Sequence, residues 1–236
     1  MSTRHLAGSG RAEILAAATR EFADRGYSGA TTAGIARLAG VTQPLVHHHF
    51  GSKQGLWNAV LDELFQEMRG VTEQALREVE GADRITRLAH LLRAFVTFSG
   101  RRPELARLVR TESSAGGEPF ESLYEKWLEG PMSFLQIELS AAAADGTIRP
   151  IDPRFAHFAI IGASTQAFAV PETARRAFGL DMKDERSIAH YADLVVDMVL
   201  RGLLTSPASY PPSQPTPTES GSPAPRKGPA PRRKRG

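Results

Sequence analysis

The sequence predicts an all-α fold. Apolar residues recur at helical spacing in one segment after another, glycines and prolines punctuate those segments at their stops and starts, and no segment alternates apolar and polar residues as a half-buried strand does. The 236 residues suffice for one large or two modest domains, and 41% hydrophobic content is ordinary for a globular chain. The absence of cysteine excludes disulfides, thiolate metal sites and thiol redox sensing, and it fits a cytoplasmic setting.

The first helix is expected from about Arg11 to Arg25, with Ile14, Leu15, Ala18 and Phe22 on one stripe and Gly26 as its stop. Residues 1–10 precede it as a flexible N-terminus. The next helix begins at Thr31 or Thr32, whose hydroxyls can accept from a free amide one turn on, and ends at Gly40. Val41 plugs the corner. Thr42 is expected to cap a third helix in which Pro44 occupies the first turn, where a missing amide hydrogen goes unmissed. Val46 and Phe50, four apart, should bury against Ile35 and Leu38. Two short helices joined by a tight glycine turn form a helix-turn-helix over Thr31–Lys53, TTAGIARLAGVTQPLVHHHFGSK.

That arrangement leaves Gln43, Leu45, His47 and His48 outward, where a recognition helix meets the major groove. Gln43 can pair bidentately with adenine, and Pro44 and Leu45 offer apolar surface to a thymine methyl. His47 and His48 can donate to phosphates or to guanine, and Lys53, just after the expected N-cap Ser52, is a phosphate candidate. With Thr31, Thr32 and Thr42, these residues form the expected DNA-binding set. Three consecutive histidines point in different directions on a helix and cannot chelate one ion, so no metal site is expected. His49 is expected to pack inward.

These residues resemble the TetR/AcrR family of transcriptional regulators. The likeness takes in RAEILAAATREFADRGYSGATT before the motif and GSKQGLWNAV after it, roughly residues 11 to 65. Family members often carry Lys, Gly and Thr where this chain has Gln43, Pro44 and Leu45, and Tyr where it has His47. The departures lie on the reading face, so the operator sequence does not carry over from a relative.

From Ser52 a long helix runs towards Glu80 through Leu56, Val60, Leu64, Met68 and Val71, with Gly70 inside it. A break at Gly81–Asp83 precedes a helix carrying Ile85, Leu88, Leu91, Leu92, Phe95 and Phe98, closed by Gly100. Pro103 starts the next, which Gly116 and Gly117 end. A further helix should kink at Pro131, a loop follows over Gly146–Pro153, and the last two helices are Phe155 to about Ala169 and Ile188–Leu204. The body thus reads as about nine helices. The resemblance implies an all-α architecture: an N-terminal three-helix DNA-binding domain over 11–56, and a helical ligand-binding and dimerisation domain over 57–205.

Large apolar residues crowd the second part, and packing is the default role of each. The resemblance implies an effector cavity among these helices. Candidate wall residues are Phe95, Phe98, Leu105, Leu108, Trp127, Phe134 and Ile161, with Glu112, Gln136 and Gln166 to orient a ligand. The last two helices carry stripes Phe155, Phe158, Gly162, Thr165, Ala169 and Tyr191, Leu194, Val195, Met198, Val199. Their small residues allow close approach, so a two-fold four-helix bundle could bury them in a homodimer. Alternatively, both stripes face their own core.

Net charge is +3, but residues from Ser206 onward hold six of the 29 basic residues against one acid, Glu219. Residues 1–53 hold Arg4, Arg11, Arg20, Arg25, Arg37 and Lys53 against Glu13, Glu21 and Asp24, a local positive surface on an otherwise acidic body. The segment 206–236 has nine of the 16 prolines and should be disordered, either a solvated tail or a basic arm on DNA. The start MSTRHLAGSGR lacks a signal peptide's apolar core, and Phe155–Val170 is shorter than the roughly 20 residues a membrane span needs. No membrane partner is expected.

The expected function is a homodimeric DNA-binding transcriptional regulator, a repressor by resemblance, released from a palindromic operator by an unidentified small molecule. Nucleophile-elbow, P-loop, dinucleotide-binding and zincin motifs are absent, so no enzyme activity and no cofactor are expected. Two alternatives stay open: an enzyme built from distant residues such as His90, His157, Glu112 and His190, and an architectural DNA protein without an effector.

Overall fold

A computed structural model describes residues 3–205, with side chains from Gly10 onward. The tail expected to be disordered, 206–236, lies outside the described residues. Those residues form eleven α-helices and one π-helical turn. The first four are α1 (Thr3–Gly29), α2 (Thr32–Leu38), α3 (Gln43–Phe50) and α4 (Lys53–Glu78). Helix α1 starts eight residues before the expected Arg11, so residues 3–10 continue the helix rather than forming a separate flexible segment. Gly8 and Gly10 made that stretch read as a poor helix. Gly10 is nonetheless buried, lying against Leu45 and His49 of α3, and tertiary packing outweighs the local propensity.

Gly26 interrupts α1 as its sequence position implies, at φ 68 and ψ 174. Local signals also place the helix starts that follow. Thr31 accepts from the Gly34 N–H at 3.0 Å, and Ser52 accepts from the Gly55 N–H at 3.0 Å. Just after the motif, Gly55 permits a close approach, since a Cβ there would collide with the Phe50 carbonyl oxygen. Phe22, Ile14, Ile35, Leu56 and Trp57 are fully buried between these helices. This core extends along α4 to Phe65 and takes in Phe98, Leu105, Leu108 and Leu123 from farther along the chain.

The remaining helices are α5 (Arg84–Arg101), α6 (Pro103–Ala115), α7 (Glu118–Leu123), α8 (Glu129–Ala144), α9 (Pro153–Ala169), α10 (Pro171–Phe178) and α11 (Glu185–Leu203). Pro131 lies near the start of α8, and the disturbance attributed to it sits one turn upstream as the π-helical turn Tyr124–Leu128. Proline cannot donate to the carbonyl four residues back, and its ring pushes on that turn, which widens instead of kinking at the proline itself. Helix α10 was not expected because it buries no side chain and shows no core stripe. Its boundaries were nevertheless written in sequence: Pro171 opens it and Gly179 closes it in the left-handed conformation.

A second core gathers Leu92, Val96, Leu139, Ile160, Ile188 and Val196 from α5, α8, α9 and α11. No strand occurs among the described residues; one antiparallel bridge joins Ile148 to Leu204. Helices α5 and α11 cross at Gly100, where a Cβ would lie 2.8 Å from Ile188 Cγ2 and 2.9 Å from Phe168 Cε1. Gly100→Ala should therefore destabilise the fold by about 1–3 kcal/mol through overpacking. A urea midpoint equal to wild type would show that α11 yields without strain.

Candidate functional site

Helix α3 presents Thr42, Gln43, Pro44, His47 and His48 to solvent, with Thr31 exposed beside them on the α2 end. Gln43 Nε2 donates to Thr32 Oγ1 at 3.2 Å, so the two outward residues steady each other across the turn. His47 Nδ1 lies 3.1 Å from the Gly51 carbonyl oxygen, to which it can donate as Nδ1–H. Leu45 is half-buried against the core and Gly10, so it offers less outward surface than its sequence position implied.

Three local expectations are corrected. Thr42 stands at the N-cap of α3, but its hydroxyl makes no capping bond. Pro44 has removed one of the two amides such a cap serves, and the other, Leu45 N–H, donates to the Thr42 backbone carbonyl at 3.1 Å. The hydroxyl is left free on the exposed face. Leu38 does not join Ile35 under α3 and is 57% exposed, because the helix ends before another turn can cover it. Lys53 does not extend from its helix start: its ammonium lies 4.5 Å from the Tyr27 ring centroid and 3.5 Å from the Ser28 carbonyl oxygen. Burial lowers its pKa below the ordinary lysine value, while the charge of Glu112 works the other way.

Glu112 proves to be a junction residue, not a pocket residue. It is buried on the face of α6 that meets α1, and its Oε1 accepts the Tyr27 backbone N–H at 2.7 Å. A Cβ on Gly26 would lie 2.8 Å from that oxygen. Nearby, Arg107 of α6 pairs with Asp24 of α1 at 2.9 Å. Trp57 meets both Phe22 and Tyr27 edge to face beneath, with Tyr27 and Trp57 centroids 5.4 Å apart.

The opposite face of α6 walls a cavity of about 990 Å³ between α4, α5, α6, α8 and α9. Of the expected wall residues, Phe95, Phe98, Leu105, Trp127, Phe134 and Ile161 line it, as does Gln166. Leu108, one turn from Leu105, is buried in the N-terminal core instead, and Gln136 lies outside the wall. Sequence reasoning missed Met68 and Thr72 of α4, which follow Phe65 at helical spacing, and Tyr124 in the π-helical turn. It also missed His157, which is buried in the wall; burial pushes its pKa down, favouring the neutral ring.

The two stripes expected at a dimer interface divide. Phe155 (74% exposed), Phe158 (71%), Gly162, Leu194 and Met198 form a solvent-facing patch across α9 and α11. Val195 is only 4% exposed and belongs to the second core, because it lies one helical position round from Leu194. Tyr191 is turned inward, its hydroxyl donating to the Ala163 carbonyl at 2.6 Å. Thr165, Ala169 and Val199 are half-buried and line the cavity. Among the described residues no group of three His, Asp or Glu side chains could hold a metal, and no helix is long and apolar enough to cross a membrane.

A helix-turn-helix packed on a cavity-bearing helical body, with no strand among the described residues, is an architecture suited to a DNA-binding regulator. The chain belongs to the TetR family: the profile of the bacterial regulatory proteins of the tetR family matches residues 14–60, and that of the tetracyclin repressor-like C-terminal domain matches residues 85–199. It is a DNA-binding transcriptional regulator of that family. The regulatory protein RaaS of Mycobacterium tuberculosis is 33% identical over 144 residues, 61% of this chain and 62% of RaaS. The transcriptional repressor NicS of Pseudomonas putida is 26% identical over 197 residues, 82% of this chain and 92% of NicS. The structure of AibR, solved with isovaleryl coenzyme A and operator DNA, superposes with TM-score 0.58 at 25% identity, covering 80% of this chain and 97% of AibR.

Glu112→Ala should destabilise the protein by about 1.5–3 kcal/mol, since it removes a charged acceptor and leaves the Tyr27 N–H without a partner in a crowded junction. Glu112→Gln, which keeps an acceptor, should lose less. Equal unfolding midpoints for wild type and both variants would assign the junction to apolar packing alone.

Proposed function

We propose that the chain is a homodimeric, ligand-responsive repressor that works in the cytoplasm and leaves a palindromic operator when a small molecule occupies the cavity. In this reading residues 11–56 contact DNA, and 57–205 hold the effector and the partner subunit. Gln43, Pro44, Leu45, His47 and His48 meet base edges and adjoining phosphates, and Thr31, Thr32, Thr42 and Lys53 hold the backbone. The observation that carries the reading is the double role of α6: Leu105 and Val109 wall the cavity, while Glu112 on the same helix holds Tyr27, whose ring packs on Trp57 and Lys53 of the helix that follows the motif. A ligand that favours a shifted α6 would loosen that hold and reduce the population competent for DNA.

Two copies joined through the exposed patch of α9 and α11 would present two motifs to half-sites about 34 Å apart or a multiple of that. The repressor named among the relatives and the DNA complex of AibR support the sign and the target. Exposed aromatic and aliphatic side chains on both helices, Phe155 and Phe158 on α9 and Leu194 and Met198 on α11, support the interface.

Footprinting on DNA flanking the gene should reveal a palindrome, and Gln43→Ala with His47→Ala should weaken that site at least tenfold while non-specific binding persists. A footprint unchanged by the double variant would remove these residues from the reading face. Leu194→Glu with Met198→Glu should halve the mass measured by sedimentation equilibrium. Retention of the dimer would move the interface off this patch.

A further inference from the structure

The charged residues in the cavity wall do not balance. Five take part: Arg69 and Glu73 of α4, Arg102 at the start of α6, Arg110 within α6, and Glu138 of α8. Both acids have ion-pair partners outside the wall: Glu138 pairs at 3.2 Å with Arg84, which also holds Asp145 at 3.0 Å, and Glu73 pairs with Arg77 at 3.8 Å. Arg102 is likewise matched, pairing with Glu67 and, at 3.9 Å, with Glu63. Among the described residues Arg69 and Arg110 have no acid within ion-pair distance, so they are the two charged residues of the wall left without a partner.

Both arginines are solvent-exposed as well as cavity-lining, which places them where the cavity opens. An unpaired guanidinium is tolerated there because water solvates it while the site is empty. The rest of the wall is largely aromatic and aliphatic, with Phe98 buried and Phe95, Phe120, Tyr124 and Trp127 half-buried. A volume of about 990 Å³ is at the upper end of ordinary ligand pockets. An apolar body thus has a wall to bury against, bordered by two exposed guanidinium groups. Isolated surface arginines are usually a solvated face; here every other arginine and glutamate of the same wall has an ion-pair partner and these two do not.

We infer that the effector is an anionic amphiphile of fatty-acyl size, its apolar body among the aromatic residues and its carboxylate or phosphate held at the mouth by Arg69 and Arg110. Guanidinium groups suit such anions because their fork of N–H donors meets two oxygens at once. A free fatty acid and an acyl coenzyme A thioester share this chemistry. The inference rests on the cavity being the effector site.

Titration of Trp127 fluorescence with dodecanoate, dodecan-1-ol and dodecanoyl coenzyme A tests it, since the other tryptophan, Trp57, is sealed in the N-terminal core. Dodecanoate should bind wild type at least tenfold more tightly than the alcohol. In R69Q/R110Q that preference should vanish while affinity for the alcohol and the unfolding midpoint stay unchanged. Tighter binding of the thioester than of the acid, with the same dependence on the arginines, assigns the coenzyme A source; the reverse order assigns the free acid. Equal affinity for acid and alcohol, or a preference that survives in the variant, overturns the anionic head while leaving an effector cavity standing. No saturable change with any of the three overturns both.

Discussion

The reversal at Gly26 and the capture of the next backbone N–H by Glu112 are the constraint on which the arrangement of the molecule depends. A side chain at residue 26 would enter the space of the Glu112 carboxylate, so the close approach of α1 to α6 requires glycine there. Burying a carboxylate is unfavourable unless it is hydrogen-bonded, and the 2.7 Å bond from Tyr27 meets that need. The aromatic ring of the same tyrosine packs on Trp57 and carries the Lys53 ammonium on its other contacts. One residue therefore ties the body to the helix that follows the DNA-facing motif.

What was legible in the sequence is what local chemistry decides. Thr31, Ser52, Gly26 and Pro103 mark helix ends because a capping oxygen, a positive φ or a missing N–H acts within one turn. The inward positions Ile35 and Val46 follow from helical period alone. Glu112 was misplaced because its partner lies 85 residues away, and helical spacing says which residues share a face but not what that face meets. Leu108 failed for the same reason: α6 has two apolar faces, and its sequence does not say which one bounds a void. Gly10 shows the converse, a residue that discourages helix locally and is retained because α3 packs on it.

Helix α9 carries a similar double duty. Its buried side, Ile160 and Phe168, belongs to the second core; Ile161 and Thr165 bound the cavity; Phe155 and Gly162 face solvent. Phe158 is both cavity-lining and exposed, so it stands where the cavity wall meets the open patch. If a second copy covers that patch, the cavity is bounded partly by an element of the interface. Ligand occupancy and the relation of the two subunits then act on the same helix, without any additional relay.

The magnitudes make such a relay workable through α6 as well. Coupling between two sites is typically about 1–3 kcal/mol, and a hydrogen bond to a charged group contributes about 1.5–3 kcal/mol. The Glu112–Tyr27 contact is thus of the size needed to separate a DNA-competent arrangement from an incompetent one. A stronger junction would hold the motif in place whatever the cavity contained, and a weaker one would let it wander when empty. Glu112 stands two turns beyond Leu105 and one beyond Val109 on the same helix, so a ligand that pressed on the wall would move the carboxylate with it. An apolar core contact in its place would vary smoothly with displacement, whereas a short hydrogen bond weakens steeply with distance and angle. That steepness would turn a small shift of α6 into a change of state.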